Sequence, residues 1–230
     1  MNISDIKKEF PIFSNKVQNN DLVYLDSANS AQKPKIVIDR IYDFYTKEFS
    51  NVGRSVHYLA VAATNLYETT RTSVQKYINA KDKNEIVFTK GATEAINLIA
   101  NTFGQKYLSE GDEVLLTELE HHSNYVPWHF LRKEKNIKIE FAEINEDGEI
   151  TLDSIEKKIT NKTKIISVTH LSNVTGAILP IKEIIKLAHS KDIPVLIDGC
   201  QGAPHLKIDM QDLDCDFYAI SGHKMYGPTG

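Results

Sequence analysis

With 230 residues, 41% of them hydrophobic and 25% charged, the chain has ordinary globular composition and apolar material for one large domain or somewhat more. A formal charge of -4 excludes the broad basic field that nucleic acid or an anionic membrane surface selects, so neither is an expected partner. No apolar run approaches a membrane span, and the first ten residues lack the apolar core of a signal peptide. The two cysteines, Cys200 and Cys215, are too few for a disulfide framework and lack metal-type spacing, so a reducing, cytoplasmic setting is expected.

Taken in order, a short helix-like segment leads to Leu22-Val23-Tyr24-Leu25-Asp26, which reads as a strand, and then to a loop of small polar residues, Ser27 to Lys33. Pro34 suits the first turn of a helix reaching about Phe49. A polar loop, Asn51 to His57, precedes a long helix over about Tyr58 to Asn79; Arg54 in that loop is either an anion ligand or a surface arginine. Apolar runs then recur at Ile86–Phe88, Glu113–Leu116, Ile137–Phe141, Ile165–Val168, Val195–Ile197 and Phe217–Ile220, mostly separated by helix-length segments. That alternation predicts an α/β fold, a mostly parallel sheet with helices on both faces, in which ligands gather at the carboxyl ends of the strands.

Those ends carry polar groups. After Phe88, a turn containing Gly91 opens a helix whose first N–H groups and Thr93 hydroxyl either hold a phosphate or simply cap the helix. After Thr117 come His121 and His122, where one ring stacks on a flat ligand or makes a loop hydrogen bond; no carboxylate or cysteine stands at ligand spacing, so no metal site is expected. Asn173, in the loop after Val168, has an amide able to donate to a ring oxygen. Asp198 leaves an apolar strand directly, as either a helix cap or the ionised partner of a cation such as a protonated pyridine nitrogen.

The last run empties into Ser221-Gly222-His223-Lys224 and a Gly-Pro turn, which holds a lysine among small residues at a strand end. Burial disfavours the charged amine and makes it a nucleophile, as in Schiff-base chemistry with aldehydes or pyridoxal 5'-phosphate (PLP). A phosphate turn, a ring, a donor, an acid and an amine on successive strand ends point jointly to PLP.

Asp198-Gly199-Cys200-Gln201 followed by Ser221-Gly222-His223-Lys224-Met225-Tyr226-Gly227-Pro228-Thr229-Gly230 resembles the class V aminotransferase family of fold-type I PLP enzymes. Within it, the closest resemblance is to the cysteine desulfurases that serve iron-sulfur cluster assembly. Tyr24-Leu25-Asp26-Ser27-Ala28, Thr93 to Asn97, Glu120 to Asn124 and Ser172-Asn173-Val174 agree, and the resemblance covers essentially the whole chain. It implies a three-layer sandwich of the aspartate aminotransferase type, with an N-terminal segment over 1–50 and a PLP-binding large domain over 51–230 that is incomplete at the C-terminus.

The resemblance makes Lys224 the Schiff-base lysine and the acid/base at the substrate alpha carbon. His121 would stack on the pyridine ring and Asp198 would pair with its nitrogen. Gln201 and Asn173 would bond the phenolic oxygen or nearby substrate atoms, and Thr93, the Ala92 amide, Ser221 and His223 would hold the phosphate. The implied substrate is L-cysteine, converted to alanine and an enzyme persulfide, in a homodimer that passes sulfur to an acceptor protein. The persulfide cysteine and the carboxylate-binding arginine belong to later chain, and neither Cys200 nor Cys215 is expected to replace the former. The chain is therefore expected to be an N-terminal piece, inactive and poorly soluble alone. One departure bears on substrate: Asn51-Val52-Gly53-Arg54-Ser55 stands where these desulfurases read Asn-x-His-Arg-Gly. Class V relatives that cleave selenocysteine, transaminate or epimerise share the cofactor residues.

Overall fold

A computed structural model describes residues 2–229; Met1 and Gly230, the latter closing the Gly-Pro-Thr-Gly turn and the expected large domain, lie outside them. The chain forms two compact units, Met1–Val87 with Gly222–Gly230, and Phe88–Ser221.

The first unit begins with α1 (Ile3–Lys8), whose N-cap Asn2 accepts from the Ser4 amide. A two-residue hairpin follows, β1 (Lys16–Val17) against β2 (Asn20–Asp21), turned by Gln18 and Asn19 at φ 52 and 64. Pro34 caps α2 (Lys35–Asp43), which continues as a π turn over Phe44–Glu48. His57 caps α3 (Tyr58–Tyr77) by accepting from the Ala60 amide.

Two expected strands do not form. Leu22–Asp26 is extended but sits in no ladder: the Tyr24 hydroxyl bonds locally to the Ser30 and Asp26 carbonyls, and Val23 and Leu25 stand exposed. Alternation marks a strand only where a neighbour covers one face. Ile86–Phe88 also lacks a ladder, and the Ile86 carbonyl accepts from the Arg71 guanidinium instead.

The second unit carries the sheet. It opens with α4 (Ala92–Ile99), which passes through a π turn at Ala100–Gly104 into α5 (Gln105–Tyr107). Then come β3 (Glu113–Thr117), α6 (His122–Lys135), β4 (Lys138–Ala142), α7 (Leu152–Lys158), β5 (Thr163–Thr169) and α8 (Ile181–His189). The last elements are β6 (Val195–Asp198), α9 (Gly202–His205), α10 (Met210–Leu213) and β7 (Phe217–Ala219). Strand order is β4-β3-β5-β6-β7, and every pair is parallel.

Successive residues of the central strands serve opposite cores, which explains why the runs read as continuously apolar. Leu115, Ile166, Val168, Val195 and Ile197 pack on one face with Ile155 of α7 and Ile181, Ile184, Ile185 and Ala188 of α8. Val114, Leu116, Ile165, Leu196 and Ala219 pack on the other with Ala92 and Ile96 of α4 and Trp128 and Leu131 of α6. The unit is thus a three-layer α/β sandwich. Its connections leave β3 in one direction and β5 in the other, so a topological switch lies between those strands, the usual position of a ligand crevice.

Candidate active site

Within the second unit, several strand-end residues form one connected set. Asp198 ends β6 and is buried, and its Oδ1 accepts from the Cys200 amide at 3.0 Å. The Cys200 thiol donates to Ser221 Oγ at 3.3 Å, and Ser221 Oγ accepts from the Ala92 amide at 3.1 Å. Ala92 and Ser221 are therefore joined across 129 residues of sequence. Gly91 precedes α4 at φ +150, a backbone state that L side chains rarely adopt, and a Cβ there would stand 3.6 Å from Ser221 Oγ. Thr93, in the first turn of α4, is exposed, and Gln201 is buried beside Cys200.

His121 N-caps α6: its Nδ1 accepts from the Ser123 amide at 3.1 Å and lies 2.8 Å from Ser123 Oγ. An acceptor role for Nδ1 leaves the ring proton on Nε2. Asn173 occupies an exposed turn after β5. His170, not singled out by the sequence reading, is buried at the end of β5 with Nδ1 2.8 Å from the Tyr218 hydroxyl, and burial pulls its pKa down to about 4. Burial also pushes the Tyr218 phenol well above its ordinary range.

Glu120 was likewise without a role in the sequence reading. Its Oε1 accepts from Thr117 Oγ1 at 2.6 Å and the Thr169 amide at 2.9 Å, and its Oε2 from Asn124 Nδ2 at 2.6 Å. Desolvation outweighs these three bonds and, with the nearby Asp198 charge adding to it, lifts its pKa to about 7. In the sequence Glu120 stands three residues past Thr117, behind Glu118 and Leu119, with no local pattern that singles it out.

His223 and Lys224 belong to the first unit, in a 3-10 turn over Gly222–Lys224, and both are half-buried. The His223 carbonyl accepts from the Ala31 amide at 3.2 Å and from Lys33 Nζ at 2.7 Å, while His223 Nδ1 lies 3.4 Å from Ser30 Oγ. Desolvation, followed by the Lys224 and Lys33 charges, lowers the His223 pKa. The lysine turn is thus pinned to the Ser27–Lys33 loop, with Lys33 a support that sequence reasoning overlooked. Of the two thiols, Cys215 has its pKa pushed up to about 12, chiefly by desolvation, which disfavours a nucleophilic thiolate.

The sequence pattern described as aminotransferase class-V matches residues 23–230. The chain belongs to that family. A probable cysteine desulfurase of Halalkalibacterium halodurans is 47% identical over 230 residues, all of this chain and 57% of that protein. The cysteine desulfurase of Synechococcus elongatus is 44% identical over 99% of this chain and 36% of that protein. Among solved structures, a cysteine desulfurase from Thermococcus onnurineus NA1 superposes with TM-score 0.91 at 36% identity, over 100% of this chain and 56% of that one. The Escherichia coli cysteine desulfurase CsdA superposes with TM-score 0.88 at 38% identity, over 100% of this chain and 56% of that one. This class V chain therefore spans about half the length of most such relatives.

Proposed function

We propose that this chain, read over 51–230, forms the cofactor-binding part of a PLP-dependent cysteine desulfurase that converts L-cysteine to alanine and a protein-bound persulfide. The observation that carries the reading is Asp198: a carboxylate buried at a central strand end, beside a Ser221–Ala92 pair that opens a helix. Members of the class V family are PLP enzymes, and the relatives named above support the substrate class.

The donor set fits the cofactor. Helix-opening amides, the Thr93 and Ser221 hydroxyls and His223 suit a phosphate, and the carboxylate of Asp198 suits a pyridinium. When bound, PLP supplies an electron sink for the charge that develops at the substrate alpha carbon. Around it, the Asp198 carboxylate would face the ring nitrogen. His121 offers a flat imidazole face, with Nε2–H available as a proton donor. Gln201 and Asn173 supply amide donors, and Lys224 accepts and returns the proton at the alpha carbon. A cysteine thiolate of the complete protein would attack the substrate sulfur, forming the sulfur-sulfur bond as the carbon-sulfur bond breaks, with its electron pair left on the beta carbon, which takes up a proton to give alanine. An acceptor protein would then receive the sulfur, and a homodimer would be the working assembly.

A second reading, a class V enzyme acting on a different amino acid, is favoured by Gly53. Its φ is +74, and its N–H donates to Thr64 Oγ1 at 2.9 Å, so the position is shaped for glycine rather than for the histidine of the desulfurase pattern. Titrating the complete protein with PLP and then offering L-cysteine, L-selenocysteine and L-alanine separates the two. The desulfurase reading expects alanine release from L-cysteine, and Asp198→Ala to weaken PLP binding by roughly a hundredfold, as loss of a buried charge-pair partner does. PLP binding unaltered in Asp198→Ala contradicts the cofactor assignment.

A further inference from the structure

Between β3 and β5, ladder pairing runs from Glu113–Thr163 to Leu115–Ile166 and stops there. Beyond that point the two strands continue to Thr117 and Thr169, and the side chain of Glu120 spans them. One carboxylate oxygen takes the Thr117 hydroxyl and the Thr169 amide; the other takes Nδ2 of Asn124, in the first turn of α6. Asn124 is wholly buried, and its Oδ1 accepts from Ser167 Oγ of β5 at 2.5 Å, so the amide is fixed from behind. His121 lies between the two anchored residues, Glu120 and Asn124, and the Asn124 amide donates to its carbonyl at 2.8 Å.

We propose that Glu120 is a positioning residue, its carboxylate clasping the ends of β3 and β5 to the first turn of α6 and so fixing the direction in which the His121 ring is presented. The inference rests on the reading of His121 as the residue that faces the cofactor ring. Three hydrogen bonds to one carboxylate define its plane and leave the following residue little freedom, as outer hydrogen-bond partners do for the ligands they orient. The partners are a hydroxyl, a backbone amide and a side-chain amide, all neutral, and the charged group acting on the carboxylate is Asp198 of β6. The clasp therefore works by geometry, and an uncharged side chain of the same shape preserves it.

The test compares wild type, Glu120→Leu, Glu120→Gln and Thr117→Val at pH 8 in the full chain. Hydrogen exchange is read at the Thr169 and Ser123 amides, and PLP affinity is measured in parallel. Glu120→Leu is expected to lose roughly tenfold in exchange protection at both amides and roughly tenfold in PLP affinity, the size carried by outer partners at metal sites. Thr117→Val, which removes without added bulk the hydroxyl that donates to Glu120 and accepts from the Leu119 amide, is expected to lose about threefold in each, a fraction of a full hydrogen bond. Glu120→Gln keeps an oxygen for the Thr169 amide and turns its NH2 toward Asn124 once that amide flips, so it is expected to match wild type within about threefold. Exchange at Ser123 unchanged in Glu120→Leu, or Glu120→Gln as impaired as Glu120→Leu, overturns the clasp. A wild-type chain that holds no PLP, while Glu120→Leu still loosens Ser123, overturns the cofactor reading and leaves the clasp standing.

Discussion

His170 and Glu120 sit at the ends of neighbouring strands and give stability opposite slopes with pH. His170 is lowered in the fold from 6.5 to about 4, so the unfolded chain takes up its proton first, and stability is lost as pH falls from about 6.5 through 4. Glu120 is raised from 4.5 to about 7, so the folded chain keeps its proton longer, and stability is lost as pH rises from about 4.5 through 7. Urea midpoints across pH 4 to 8 separate the two contributions. The advantage of wild type over His170→Gln is expected to shrink toward acid, and that over Glu120→Gln to shrink toward neutrality; differences that stay constant with pH contradict both assignments. Neither group was legible as a site from the sequence. Asp198 stood out because it directly follows an apolar run, whereas Glu120 stands three residues beyond Thr117, and its partner on the neighbouring strand, Thr169, lies 49 residues away. Long-range hydrogen bonds leave no local pattern to read.

At the scale of elements, the turn after β6 is shaped by space. A Cβ on Gly199 would come within 1.9 Å of the Tyr218 ring, and one on Gly202 within 2.6 Å of His170 Nδ1. The glycines of the Asp-Gly-x-Gln-Gly turn thus make room for the His170–Tyr218 pair beneath it. Gly199→Ala is expected to cost about 1–3 kcal/mol, the range for overpacking, and to free the Tyr218 hydroxyl from His170. Chemical denaturation with tyrosine fluorescence checks this, and an unchanged midpoint refutes the packing account. Five of the six expected strands of the α/β pattern formed, because each carries residues for two cores on alternate positions. Ile86–Phe88 and Leu22–Asp26 misled because β propensity is not a ladder: Val87 and Leu25 are 66% and 91% exposed, with no strand beside them.

Across the whole molecule, the residues assigned to PLP divide between the two compact units. Ala92, Thr93, His121, Asn173, Asp198, Gln201 and Ser221 belong to the sheet-bearing unit, and His223 and Lys224 to the other. The order of strand ends along the sequence is what suggested the cofactor pattern. It carried no sign that Lys33 pins the lysine turn through the His223 carbonyl, since the two are 190 residues apart. The first unit leaves Val56, Leu25, Tyr58 and Val23 largely exposed. The central proposal is that Lys224 is the lysine that takes up PLP. Incubation with PLP, reduction with borohydride and peptide mapping, beside a Lys224→Ala control, tests it most directly. The account predicts a pyridoxyl mass on the Lys224 peptide that the control lacks; label spread over surface lysines, or equal labelling of the control, would contradict it.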